Sequence, residues 1–236
     1  MPTPAAATYD IRYEFTLPGG TQTSFTVKLH PETLLNTAPA PEMVPEWTAL
    51  GFEQCPNCPL SKTDCASCPV ALQLSEVVAQ FSQMFSFARV GARVTVPERT
   101  YLAEDVSVQT ALSSLIGVYM VTSGCPVLSK LRPMVRFHLP FAKELETITR
   151  STSMYLLSQY FVSLRGGTPD WTLEGLAENY RATGVVNRAF AKRLRAAATK
   201  DANVNALIIL NTFSQALPDT IENQLEELKF LFETAR

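Results

Sequence analysis

Four of the chain's five cysteines lie within a single stretch, residues 55–68. They form two Cys-x-x-Cys pairs, Cys55 with Cys58 and Cys65 with Cys68, and six residues separate the pairs. Four thiolates at this spacing favour zinc or an iron–sulfur cluster over a hard cation. Because four thiolates leave zinc no open coordination position, the pattern predicts a structural metal loop at 55–68 rather than a catalytic one.

Two other chemistries remain open for the same stretch. An iron–sulfur cluster would indicate an electron-transfer protein, and unligated thiols would undergo redox reactions or form disulfides. Zinc is the preferred prediction, because a chain of 236 residues can bury a core without crosslinks and the cysteines need another role. Pro69 follows Cys68 directly and is suited to the first position of a helix.

A second group of side chains that could do chemistry lies in residues 122–141. Cys125 precedes a helical segment whose dipole would lower the pKa of the thiol, and His138 follows that segment. Arg132 and Arg136 are four residues apart, on one helical face. These four residues predict an alternative function, an enzyme or a small-anion binder, with Cys125 as nucleophile and His138 as base.

The opposing interpretation of this region is purely structural. A cysteine among apolar residues is usually a buried small hydrophobe, and a histidine at a helix junction often satisfies a backbone group. Paired arginines often neutralise carboxylates on a neighbouring helix. Sequence spacing assigns no acid partner and no oxyanion motif to Cys125 and His138, so catalytic residues stay undetermined.

The elements that must position these residues fall into two parts. Alternating apolar and polar residues predict one hairpin over 8–29 and another over 90–102, with a helix over 69–85 between them. From residue 105 onward the pattern is helical. The sequence therefore predicts an α+β fold, with an N-terminal antiparallel sheet of two hairpins and a four-cysteine metal loop, followed by a mostly α-helical bundle.

The predicted helices of the second part are delimited by caps, glycines and prolines. We expect them over about 105–122, 126–137, 140–166, 172–199 and 201–216, with a last helix opening at Pro218. The predicted division is a sheet-bearing part, 1–104, and a bundle, 105–236, packed together as one compact unit. Apolar residues in the C-terminal helices indicate a bundle core or a homo-oligomer interface, and a homodimer is the partner prediction.

The charge balance argues against a nucleic-acid partner. The net charge is −2, and the basic stripe of the 172–199 helix is more typical of a solvated face or of pairing with the acidic last helix. That stripe comprises Arg181, Arg188, Lys192 and Arg195. No apolar run is long enough for a membrane span, and residues 1–7 lack the pattern of a secretory signal. A cytoplasmic location, where thiols stay reduced, is therefore predicted.

Four short segments together resemble an uncharacterised bacterial family, catalogued only as a domain of unknown function. The segments are Gln54-Cys55-Pro56-Asn57-Cys58-Pro59-Leu60, Cys68-Pro69-Val70-Ala71, Thr122-Ser123-Gly124-Cys125-Pro126 and Phe137-His138-Leu139-Pro140-Phe141. The resemblance covers nearly the whole chain and implies a bacterial cytoplasmic setting, but no activity or site residue. The preferred function is thus a metal-binding protein that serves as a binding or interaction module.

Overall fold

The computed structural model describes residues 8–39, 41 and 43–233. The N-terminal segment, residues 1–7, on which the signal prediction depends, lies outside the described residues. Within them, the strands are β1 (Tyr9–Thr16), β2 (Gln22–Leu29), β3 (Arg89–Val96) and β4 (Arg99–Ser107). The two hairpins join through β1 and β3 into one antiparallel sheet of order β2-β1-β3-β4, which confirms the predicted fold class.

The inner face of the sheet follows directly from the sequence alternation. Ile11, Tyr13 and Phe15 of β1 are buried, while the residues between them are more exposed. In the register, Tyr13 pairs with Phe25 of β2 on one side and with Val94 of β3 on the other. Such cross-strand neighbours stabilise a sheet whose opposite face is solvated.

Helix α1 (Pro69–Phe81) covers part of this face. The ring of Phe81 meets the ring of Phe15 edge to face, with their centroids 5.3 Å apart. Pro69 occupies the first turn as predicted, but the helix ends at Phe81, four residues before the predicted end at 85. Phe85 is half exposed and stacks on Phe87, so it adds nothing to the buried helical stripe.

The remaining helices form the bundle. They are α2 (Val108–Thr122), a 3₁₀ helix (Leu128–Phe137), α3 (Glu144–Leu164), α4 (Glu174–Ala197), α5 (Ala202–Glu222) and α6 (Phe230–Glu233). Ser107 caps α2, because its hydroxyl accepts a hydrogen bond from the amide of Thr110. Residues of the sheet and of α1, α2, α4 and α5 share one buried core. The division at residue 104 stays a prediction.

Three predicted helix boundaries of the bundle were also wrong. Helix α3 begins at Glu144 rather than Pro140, because Phe141 adopts φ +60°, which an α-helix cannot include. Helix α4 begins after Leu173, which has φ +67°. Helix α5 runs through Pro218 to Glu222. Pro218 costs one backbone hydrogen bond but is buried next to Leu217, and this burial offsets the loss.

Asp170 caps α4 from outside the helix. Its carboxylate accepts hydrogen bonds from the amide of Gly175 at 2.8 Å and from the Tyr155 hydroxyl of α3 at 2.9 Å. These bonds and those from Thr172 lower the pKa of Asp170 to about 2. Asp170 therefore ties the middle of α3 to the N-terminus of α4. Among the described residues, no helix is both long and apolar enough to cross a membrane.

Candidate functional site

The cysteine loop is held by backbone hydrogen bonds to the segment that precedes it. The amide of Cys68 donates to the carbonyl of Thr48 at 2.8 Å, and the amide of Leu50 donates to the carbonyl of Ala66 at 2.9 Å. A β-bridge also joins Ala49 to Ser67. The second cysteine pair is therefore fixed against residues 48–50 immediately before α1 begins.

Each cysteine pair lies on a tight turn. In the first pair the amide of Cys58 donates to the carbonyl of Cys55 at 3.0 Å. Before the second pair, the carboxylate of Asp64 accepts from the amide and hydroxyl of Ser61, while the amide of Cys65 donates to the Ser61 carbonyl. These turns present the sulfurs of both pairs from one short loop.

All five cysteines are free thiols, and all are half-buried. The pKa of Cys55 is raised to about 12, first by burial and then by the neighbouring Cys68, Cys125 and Cys58, while Arg193 lowers it. The pKa of Cys65 is raised by burial and by Asp64, Cys68 and Cys58. The thiols are therefore near enough for the charge of one to affect the pKa of another.

Cys125 belongs to the same region, although 57 positions separate it from Cys68 in the sequence. The amides of Leu128 and Val127 lower its pKa, but burial raises it more strongly, and Cys68 and Cys58 raise it further. The prediction that the helix dipole lowers the pKa of Cys125 was therefore wrong, since the net effect is a raised pKa. A thiol that stays protonated is a poor nucleophile, so burial works against the predicted nucleophilic role.

The loop packs against a buried guanidinium. Arg193 of α4 is only 1% exposed. It donates to the carbonyls of Trp47 at 2.6 Å, Ala49 at 2.8 Å and Leu50 at 3.3 Å. Its guanidinium also lies 5.7 Å from the centre of the Phe52 ring. Arg193 thus fixes the segment that in turn holds the cysteine loop.

The charge of Arg193 has no carboxylate partner within 4.0 Å in the described part of the chain. Burial lowers its pKa, while the negative forms of Cys68, Cys55 and Cys58 raise it, ahead of the weaker effect of Glu53. The nearest groups that can carry balancing charge are therefore thiols. In residues 8–39, 41 and 43–233, however, no three Cys, His, Asp or Glu side chains lie close enough together, as placed, to hold one metal ion.

The other predicted site residues are dispersed. Arg136 pairs with Glu98 at 2.9 Å and lies over the Tyr9 ring, so it fastens the 3₁₀ helix to the sheet. Arg132 lies one turn earlier on that helix and is half-buried. His138 is hydrogen-bonded to the hydroxyl of Tyr13. No hydrogen bond joins Cys125 to His138 among the described residues, so the predicted nucleophile–base pair is not assembled.

His138 lines a pocket in the bundle. Burial and the nearby charge of Arg150 lower the pKa of His138 to about 3, so the imidazole is neutral at physiological pH. Cys125, Arg132 and Arg136 do not line this pocket. Of the four residues in the second predicted group, His138 alone lines this pocket.

One residue of the basic stripe of α4, Arg181, pairs with acidic residues. Arg181 contacts Glu222 of α5 at 2.7 Å and Glu174 of its own helix at 3.8 Å. Glu222 belongs to the acidic segment that was predicted to pair with the stripe, although α5 rather than a separate last helix carries it. The stripe therefore offers no specific support for a nucleic-acid interface.

Sequence reasoning missed two buried polar residues of α4. Arg193 contacts the segment that holds the cysteine loop, and Asn187 lines the pocket. Both lie on its apolar face, since Asn187 precedes Phe190 by three positions and Arg193 follows it by three. Helical periodicity alone could have placed them there. Arg193 lies between Lys192 and Arg195 of the basic stripe, which are exposed, and this position hides its burial from inspection of charge alone.

Comparison with known families gives one match. The model of the family described as "Domain of unknown function (DUF6901)" matches residues 11–233, nearly the whole chain. Neither a curated protein nor a solved structure matches the chain.

Proposed function

The chain belongs to the DUF6901 family, a domain of unknown function, and we propose that it is a zinc-binding protein that serves as an interaction module. In this proposal Cys55, Cys58, Cys65 and Cys68 supply four thiolates. The ion has no open coordination position and acts structurally, by holding the cysteine loop to the segment before it. The proposal rests on the chemistry of these side chains and of Arg193.

The buried charge of Arg193 is the observation that carries the zinc proposal. Burying an unpaired charge costs several kcal/mol, and no ion pair to Arg193 occurs among the described residues. Zinc with four thiolates is an anionic centre, because the negative charge of the four thiolates exceeds the positive charge of the ion. Such a centre beside Arg193 would balance the guanidinium, whereas neutral thiols would leave it uncompensated.

The thiols must move closer together to share one ion. Both pairs lie on turns of a loop with exposed residues between them, so the turns can rotate to bring the sulfurs together. Metal binding commonly completes the local fold of its ligands in this way. Reduced thiols are needed, which favours the predicted bacterial cytoplasm as the setting.

We expect about one zinc per chain in protein purified under reducing conditions without added metal. Elemental analysis of the dialysed protein measures this directly, and the same protein after dialysis against a strong chelator is the control. A colourless zinc protein supports the proposal. Iron with acid-labile sulfide and absorbance near about 400 nm would establish the iron–sulfur alternative instead. Absence of both metals would overturn the metal centre.

The outer face of α3 supports the interaction role. Leu157, Tyr160, Phe161 and Leu164 recur at helical spacing, and they are 47%, 51%, 45% and 64% exposed. An apolar stripe of this period normally packs against another element. We take a second copy of the chain as the partner, because two such stripes can pair around a two-fold axis and bury each other.

Phe161→Glu is expected to weaken this dimer at least tenfold, since a carboxylate at the centre of the stripe would be buried without a partner. Sedimentation equilibrium over a range of concentrations measures the change. Phe87→Glu is the matched control, because Phe87 is 71% exposed and far from α3 in sequence. A chain that remains monomeric at about 100 μM before any substitution would contradict the dimer but leave the zinc proposal untouched.

A further inference from the structure

A pocket of about 160 Å³ lies among α2, the 3₁₀ helix, α3, α4 and α5. Its wall is mainly apolar, with Val118, Met134 and Phe213 among its lining residues. A single water needs roughly 15 Å³ of such space. The pocket therefore has room for a molecule of roughly ten non-hydrogen atoms with a largely apolar body.

Arg150 brings a positive charge to this apolar wall. Arg150 is one of the lining residues, and its guanidinium donates to the carbonyl of Met134, another lining residue, at 3.1 Å. No ion pair to Arg150 occurs in the described part of the chain. Glu146, one turn earlier on α3, accepts instead from the amide of Lys143. Since a guanidinium has five N–H donors, most of those of Arg150 remain available to a ligand.

His138 adds a neutral donor to the same pocket. The Tyr13 hydroxyl is buried and has no other hydrogen-bond partner among the described residues, so it satisfies its proton best by donating to Nε2 of His138. The ring proton of the neutral imidazole then resides on Nδ1. That N–H group has no partner within residues 8–39, 41 and 43–233, and it can donate to a ligand.

Asn187 presents an unsatisfied amide at the pocket. This residue of α4 is only 2% exposed and lines the pocket, and its Oδ1 atom lacks a hydrogen-bond partner among the described residues. A buried polar atom without a partner costs about 1–3 kcal/mol. Because Oδ1 is an acceptor, it needs a donor, and a water bound between it and a ligand would remove that cost.

We propose that this pocket binds a small organic carboxylate with an apolar body of fewer than about ten carbon atoms. The carboxylate lies at Arg150 and His138, because a guanidinium binds carboxylate oxygens in a bidentate manner and an imidazole N–H can donate to the same group. The apolar body lies against α2 and α5. Inorganic phosphate would satisfy the charge but leave the apolar wall without contact.

The experiment uses a panel of acids with matched uncharged analogues. Benzoate, phenylacetate, hexanoate and octanoate are titrated into the full-length protein, beside benzyl alcohol, phenylethanol, hexanol and octanol. Calorimetry and ligand-observed NMR measure binding. We expect at least one acid to bind with a Kd below about 1 mM and its alcohol to bind at least tenfold more weakly.

Two variants locate the binding. Arg150→Gln should weaken binding of that acid at least tenfold, and Arg132→Gln, on the neighbouring 3₁₀ helix but outside the pocket, should leave it unchanged. Gly117→Ala keeps the proposal testable if Arg150→Gln does not fold. Its added Cβ would lie 3.4 Å from Leu210, an ordinary contact that narrows the pocket, and alanine favours the helix.

The proposal is overturned by any of three results. These are the absence of acid binding at about 1 mM, equal binding of acid and alcohol, and unchanged affinity in a folded Arg150→Gln protein. If only Gly117→Ala folds, unchanged acid affinity in that variant has the same consequence. The zinc content of the protein has no bearing on these outcomes, so the two proposals fail separately.

Discussion

Replacement of Arg193 by methionine is expected to lower the free energy of unfolding by about 3 kcal/mol. The guanidinium donates to the carbonyls of Trp47, Ala49 and Leu50. Methionine removes all three bonds, and of these carbonyls that of Ala49 keeps a donor, the amide of Phe52. Each buried polar group left unsatisfied costs about 1–3 kcal/mol. The net loss of stability is smaller than the sum of these costs, because the replacement also removes a buried charge that is costly to desolvate. Urea unfolding of the metal-loaded protein measures the loss.

The same replacement should also weaken zinc binding, because the proposed anionic centre loses its nearest buried cation. Competition with a chelator of known affinity measures this second effect. Arg195→Met provides the matched control, since it makes the same chemical change at an exposed position of the same helix. Arg193→Lys should recover part of the metal affinity, because it restores the charge without the planar fork of donors. Unchanged zinc affinity in folded Arg193→Met would show that the guanidinium is only a structural link.

The sheet was predictable because local pattern and long-range packing agree there. Alternation over Tyr9, Ile11, Tyr13 and Phe15 specifies which face is buried, and a shift of one residue would expose all four side chains. The helix boundaries at Glu144 and Pro218 were less predictable. The first depends on the positive φ of Phe141, and the second on the burial of Pro218. Tertiary packing imposes both against the local preference of these residues.

The candidate sites depended even more on tertiary structure. The pairing of His138 with Tyr13 joins positions 125 residues apart, and Cys125 reaches the cysteine loop through the packing of the 3₁₀ helix on α2. The spacing of these residues in the sequence does not indicate that either pair lies close together in the fold. The two Cys-x-x-Cys pairs are close together in the sequence, so they could be recognised without the structure. The metal itself stays a prediction.

Removal of the first cysteine pair should abolish zinc binding. In a chain carrying both Cys55→Ser and Cys58→Ser, two of the four proposed thiolates are lost, and two remaining thiolates cannot hold zinc tightly. A ligand that binds only the folded state stabilises it by about 4 kcal/mol when its free concentration is roughly a thousand times Kd. We therefore expect the double variant to unfold at the same urea concentration with or without a chelator, whereas the unaltered chain loses stability when chelated.

Single substitutions of Cys65 and Cys125 decide which thiol completes the set. Cys68 and Cys58 raise the pKa of Cys65, which lies in the loop itself. The same two cysteines raise the pKa of Cys125, which lies in the bundle. On the predicted ligand set, Cys65→Ser loses zinc and Cys125→Ser retains it, with a stability cost of about 1 kcal/mol or less for a conservative change of a half-buried thiol. The reverse result would replace Cys65 with Cys125 in the centre. Zinc would then join the cysteine loop to the helical bundle, so its removal would loosen the packing between them rather than the loop alone.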